Sequence, residues 1–244
     1  MTLKQQIAGA LADMRGSSPL IHCITNYVTA GDTANMLLAA GASPIMADDP
    51  SESAEITALA QGLTLNLGTP SGFRVEAMLR SGAEANRRGI PVVFDPVGAG
   101  CSGFRRNSAG EILRRVRLTA IRGNLSEISY LAGFESRENG VDSSETRITA
   151  AEAAQTAAKL GCVCAVTGER DVISDGSRTV TILSGTPLLK KVTGRLYDLC
   201  AVCGDVHSCG RLCRSRRWNS AYGYMRRACA GAFRASGELP GGAV

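Results

Sequence analysis

No apolar run in the 244 residues reaches the length that would cross a membrane, so no spanning segment is expected. The N-terminus, MTLKQQIAGALADMRG, is polar through its first turns and lacks a signal-peptide core, which predicts a cytoplasmic protein. No G-x-x-x-x-G-K-[ST] occurs, which excludes a P-loop site. No G-x-G-x-x-G stands at the first strand turn, which disfavours a nicotinamide cofactor. Internal repeats and low-complexity linkers are absent too, and the length suits one large α/β domain or at most two small ones.

Excess charge is missing from most of the chain. Residues 1–194 carry 19 basic and 19 acidic side chains. The net charge of +5 comes from residues 195–244, with eight arginines, no lysine and three acids. The cysteines divide the same way, four before residue 195 and five after it. A basic total therefore gives no reason to expect nucleic-acid binding by the first 194 residues. Composition splits the chain at Gly194.

Elements alternate along the first part. Residues 3–15 show a helical stripe at Leu3, Ile7, Leu11 and Met14. Strands are expected at 18–25, 43–47, 63–68, 90–96, 119–123 and 162–168. Helices are expected at 31–41, 51–62 (capped by Ser51, stopped by Gly62), 71–88, 107–116, 126–133 and 149–161. DVISDGSRTVTIL, 171–183, is a hairpin around Asp175-Gly176. This order predicts a mostly parallel central sheet with helices on both faces.

Ligands of open α/β sheets bind beyond the carboxyl ends of the strands. There the sequence places Asn26, then Met46 with Asp48 and Asp49, then Asn66, Gly68 and Thr69. Asp95 with VGAG (97–100) follows, then Arg122, Gly123 and Asn124 with Glu127 one turn on, then Thr167, Gly168 and Glu169. These are the parts of a phosphoryl-transfer site. Asp95 and Glu127 suit Mg²⁺, directly or through water. Arg122 and Thr167 suit phosphate oxygens. Each also has a plainer reading. Asn26 suits a helix cap, Met46 core filling, Asp95 a turn before proline, and Glu127 a first-turn acid. His22 reads as a satisfied core histidine, and Cys23, Cys101, Cys162 and Cys164 as small buried hydrophobes.

Taken together, SPLIHCITNYVTAGDTANMLLAAGASPIMAD, LNLGT, PVVFDPVGAG, IRGNLSEISYLAG and AVTGERDVISDG resemble the hydroxyethylthiazole kinase family of the ribokinase-like superfamily. The resemblance spans residues 18–194, in order and spacing. It implies ATP-dependent, Mg²⁺-requiring phosphorylation of the hydroxyl of 4-methyl-5-(2-hydroxyethyl)thiazole in thiamine synthesis and salvage. It implies a homotrimer with active sites between subunits, and neither nucleic acid nor membrane as partner. It places Asn26, Met46 and Gly194 at the substrate. Arg122, Asn124 and Thr167 fall at ATP, and Asp95 and Glu127 in the metal region. A sibling kinase for another small alcohol of thiamine metabolism, such as its pyrimidine precursor, is the alternative.

The family continues past KVTG with a Gly-x-Gly-Cys turn whose backbone N–H groups face the transferring phosphoryl group. This chain has GRLYDLCAVC instead, so no catalytic motif is intact after Gly194. Residues 196–203 can be encoded CTG TAT GAC CTC TGC GCT GTG TGC. One base later the same bases read Cys-Met-Thr-Ser-Ala-Leu-Cys, a fitting helix start for the family. Residues 1–194 are therefore expected to be an incomplete kinase domain, and 195–244 an out-of-frame tail that impairs it. The competing reading is a zinc-binding module on Cys200, Cys203, His207, Cys209 and Cys213, with the neighbouring arginines facing nucleic acid.

Overall fold

The structure is a computed structural model that describes Gly9 and residues 12–133, 149–168 and 170–182. The expectations for Gly194, Glu169, the tail and its zinc ligands lie outside the described residues. Residues 12–17 are helical, as the N-terminal stripe predicts.

The described elements run β1 (Leu20–Ile24), α1 (Ala30–Ala40), β2 (Ser43–Ile45), α2 (Ser53–Leu59), β3 (Gly62–Asn66), α3 (Gly72–Arg88) and β4 (Val92–Asp95). They continue with α4 (Gly103–Arg115), β5 (Ala120–Asn124), α5 (Leu125–Ala132), α6 (Ala150–Leu160), β6 (Val163–Thr167), β7 (Asp171–Ser174) and β8 (Thr179–Ile182). The sheet order is β2-β1-β3-β4-β5-β6-β7-β8. Strands β1 to β6 pair in parallel. Strands β7 and β8 are antiparallel and form the hairpin expected around Asp175-Gly176. The fold class is as read from the sequence.

Strand order reverses at β1, whose neighbours are β2 on one side and β3 on the other. Right-handed crossovers then put α1 on one face and α2 with α3 on the other. Packing follows this division. Ile21 and Cys23 of β1 join Leu37 of α1 in a small cluster. Ile24 joins the main core with Leu63, Leu65, Met78, Phe94, Ile112 and Ile121. Fully burying a side chain such as Phe94 or Leu65 contributes about 1.5–3 kcal/mol. The apolar strands hold the sheet, and their polar ends are free to serve a site.

Local chemistry sets most boundaries. Ser71 accepts from the Arg74 N–H and starts α3, and Gly89 at φ 72° ends it in the left-handed region. Two boundaries differ from the sequence reading. Helix α2 does not use Ser51, whose hydroxyl turns to Asp49, and Gly62 is already in β3. Helix α4 begins four residues before the predicted start, because Ser102 caps it. No helix among the described residues is long and apolar enough to cross a membrane.

Candidate active site

The reversal between β1 and β3 makes the crevice at their carboxyl ends the natural ligand position. Asn26 follows β1 and Asn66 ends β3, and the two side chains meet there. The Asn26 Nδ2 donates to Asn66 Oδ1 at 3.1 Å. The same oxygen accepts from the Gly68 N–H at 2.8 Å, while Asn66 Nδ2 donates to Asp95 Oδ2 at 2.8 Å. Gly68 is packed against both amides. A Cβ there would lie 2.7 Å from Asn26 Cβ, Asn26 Nδ2 and Asn66 Oδ1, so only glycine fits without a shift.

The network continues across the sheet. Arg122 Nη1 donates to Asp95 Oδ2 at 3.2 Å, and Nη2 to Thr167 Oγ1 at 3.2 Å. Thr167 donates onward to the Gly123 carbonyl at 3.3 Å. The Arg122 and Asp95 side chains are only 10% and 14% exposed. A charge pair this withdrawn from water adds little net stability but makes loss of either partner costly. Asn26, Asn66, Asp95, Arg122 and Thr167 thus form one hydrogen-bonded line along the rim.

Glu127 is held beside that line. It closes a capping box with Asn124: Glu127 N–H donates to Asn124 Oδ1 at 3.0 Å, and Asn124 N–H to Glu127 Oε2 at 2.8 Å. Its other oxygen accepts from the Gly98 N–H at 3.0 Å and so ties the VGAG turn to α5. The first-turn-acid reading is realised, and the residue also joins two loops of the rim. Among the described residues no group of three or more His, Cys, Asp or Glu side chains could hold a metal ion. Of the rim carboxylates, Asp95 is tied to Arg122, and Glu127 to the Asn124 and Gly98 amides.

Met46 is 39% exposed just beyond β2, so it is not core filler. Asn26 does not cap α1; Thr29 is the N-cap, and Asn26 Oδ1 accepts from the Thr29 N–H at 3.0 Å. His22 is a satisfied core residue between Thr57 Oγ1 and the Ala47 carbonyl, each 2.8 Å away. Burial holds its pKa below the ordinary value, against the opposing bond to Ala47. Cys23, Cys162 and Cys164 are buried, and burial pushes each thiol up to about 12. Cys101 is exposed, contrary to expectation, because it lies on the turn before α4 rather than in a strand.

Two arginines without a sequence role organise the rim. Arg74, 2% exposed, binds Asp48 Oδ2 through Nε at 2.9 Å and Nη2 at 2.8 Å, and meets Thr69 Oγ1 at 2.8 Å. Its guanidinium carbon lies 4.0 Å from the ring centroid of the exposed Tyr27. Arg105 donates to the carbonyls of Leu67, Val97 and Gly68, joining the turns after β3 and β4. Both stand in the first turn of a helix, where the dipole disfavours a cation. That misplacement is the signal from which their outside partners are legible. A separate groove of about 550 Å³ between α3 and α4, lined by Val75, Leu79 and Phe104 among others, contains none of the rim residues.

The chain is similar in sequence and fold to known proteins. The hydroxyethylthiazole kinase family model matches residues 11–238. A hydroxyethylthiazole kinase of Ruminiclostridium cellulolyticum is 51% identical over 194 residues, covering 78% of this chain and 71% of that protein. One from Histophilus somni is 46% identical over 194 residues, covering 79% and 73%. A solved hydroxyethylthiazole kinase structure from Pyrococcus horikoshii superposes with a TM-score of 0.79 at 33% identity, covering 97% of this chain and 89% of that one. A ribokinase-like superfamily protein of Enterococcus faecalis, 10% identical with a TM-score of 0.56 over 92% of this chain and 90% of that one, shares the fold.

Proposed function

The chain belongs to the hydroxyethylthiazole kinase family, and we propose that it transfers the γ-phosphoryl group of ATP to the primary alcohol of hydroxyethylthiazole. The observation that carries this reading is the continuous line from Asn26 to Thr167. It has an uncharged amide at the β1 end, next to β2 and the half-exposed Met46 that follows it, and a carboxylate, a guanidinium and a hydroxyl at the other.

In this reading the thiazole lies at the Asn26 and Met46 end; Gly194, the third substrate residue the family resemblance implies, lies outside the described residues. The nucleotide lies at the Arg122, Asn124 and Thr167 end. Phosphoryl transfer depends mainly on positioning and on neutralising developing charge. Arg122 is anchored on Asp95 and Thr167, so its guanidinium enters the reaction already oriented. Mg²⁺ takes one or two carboxylates with its remaining positions filled by water and phosphate, and Asp95 with Glu127 fits that demand. When bound, the ion offsets phosphate charge. Glu127 also fixes the Gly98 amide, so the VGAG turn keeps its place beside the nucleotide end.

The proposal includes thiamine synthesis or salvage as the setting, a cytoplasmic location, a homotrimer with active sites between subunits, and no nucleic-acid or membrane partner. It also includes the fate of residues 195–244. Without Gly-x-Gly-Cys after Gly194, backbone donors for the transferring group are lost, and little turnover is expected from this chain. The encoding DNA tests that part: another frame should read Gly-x-Gly-Cys followed by a small, apolar helix.

Calorimetry tests the substrate. Hydroxyethylthiazole should bind at least about tenfold more tightly than the hydroxymethyl-pyrimidine alcohol. Equal or reversed affinity would favour the sibling kinase.

A further inference from the structure

The side-chain amide of Asn66 has no choice of orientation. The Gly68 N–H can only donate, so it must face the amide oxygen, 2.8 Å away. An ionised carboxylate only accepts, so Asp95 Oδ2 must face the amide nitrogen, 2.8 Å away. Asn26 is then oriented in turn. It presents its nitrogen to Asn66 Oδ1 and its oxygen to the Thr29 N–H and hydroxyl, both at 3.0 Å. Fixed backbone donors at Gly68 and Thr29 thereby set the polarity of the whole acceptor end. The same residue also supplies Asp95 with a neutral donor on the oxygen that Arg122 uses.

Resting on the kinase reading above, we propose that Asn66 is the positioning residue of the site. One amide holds the alcohol-binding end and the charged end in a single frame, its oxygen serving the first and its nitrogen the second. It need not touch either substrate. The two functions are separable by substitution. Asn66→Asp keeps an acceptor for Gly68 and Asn26, but removes the donor to Asp95 and sets a second carboxylate beside it. Asn66→Ala removes both links.

The test uses the full chain and both variants. Amide exchange of Gly68 and of the Asn26 side chain is measured without ligand, and binding of hydroxyethylthiazole and of Mg²⁺–ADP by calorimetry. Asn66→Ala should speed exchange at both groups by about tenfold or more, while Asn66→Asp leaves it near the parent value. Asn66→Asp should weaken Mg²⁺–ADP by about tenfold and leave hydroxyethylthiazole within about twofold. A merely structural residue would weaken both ligands together. Equal loss of both ligands in Asn66→Asp, or unchanged exchange in Asn66→Ala, overturns the proposal. If the parent binds neither ligand, the same calorimetry on the chain restored to Gly-x-Gly-Cys decides the kinase reading separately, and exchange alone decides the frame. Faster exchange in Asn66→Ala but not in Asn66→Asp then upholds it, and no difference between the variants overturns it. Should Asn66→Ala not fold, Asn66→Asp decides: fast exchange at Gly68 and Asn26 overturns the proposal, and parent-like exchange upholds it.

Discussion

Arg122 Nη1 lies 3.2 Å from Asp95 Oδ2, and neither side chain reaches more than slightly into water. The pair crosses from β5 to β4 at the carboxyl edge of the sheet, where an isolated carboxylate would be expensive. Arg122→Met should lower stability by about 3 kcal/mol in a denaturant melt and weaken nucleotide binding by more than about tenfold. Adding Asp95→Leu should recover part of the stability and none of the affinity. Full recovery of both would show that the pair serves the fold alone.

Gly68 gives a second prediction. A methyl group at this position would sit 2.7 Å from both asparagine side chains. Gly68→Ala should therefore cost about 1–3 kcal/mol and disturb the alcohol-binding end first. Calorimetry should show a larger loss for hydroxyethylthiazole than for Mg²⁺–ADP.

Arg105 gives a third. It satisfies three backbone carbonyls, at Leu67, Gly68 and Val97, from two turns of the rim. Arg105→Met should leave these oxygens short of a donor, at about 1–3 kcal/mol in total stability. Amide exchange should rise in the turns at 67–69 and 97–100 more than in β3 and β4.

His22 gives a pH dependence. Its folded pKa lies below the ordinary 6.5, chiefly because burial disfavours the imidazolium. Below 6.5 the unfolded chain takes up a proton that the folded chain refuses, so stability falls as pH drops toward the folded pKa. Above 6.5 this contribution is fully present. His22→Gln should flatten the stability profile just below pH 6.5, as read by melts at fixed ionic strength. An unchanged slope would assign the acid sensitivity elsewhere.

Much of this is legible in the residues. Alternating apolar strands and glycine-stopped helices fix the sheet, and polar residues at the strand ends fix the rim. Asp95, Arg122, Thr167 and Glu127 stand where strand-end reasoning puts them, and Asn124 closes a capping box that its spacing from Glu127 allows. The links between residues are another matter. Asn66 is 40 residues from Asn26 and 29 from Asp95, so no local pattern announces that it joins them. Arg74 and Arg105 carry only a weak mark, a cation in a helix's first turn, because their partners come from other loops. Ser51 fits the local pattern of a helix cap, yet its hydroxyl turns to Asp49; Cys101 has the residue type of a core position, yet it lies on the exposed turn before α4.

The most direct measurement is thiazole-dependent ADP release with Mg²⁺–ATP, run in parallel on this chain and on one restored to Gly-x-Gly-Cys after Gly194. The account predicts ordinary kinase turnover from the restored chain and little or none from this one. Equal turnover by both would contradict the claim that activity is lost at Gly194. No turnover by the restored chain would contradict the assignment of the rim as a thiazole kinase site.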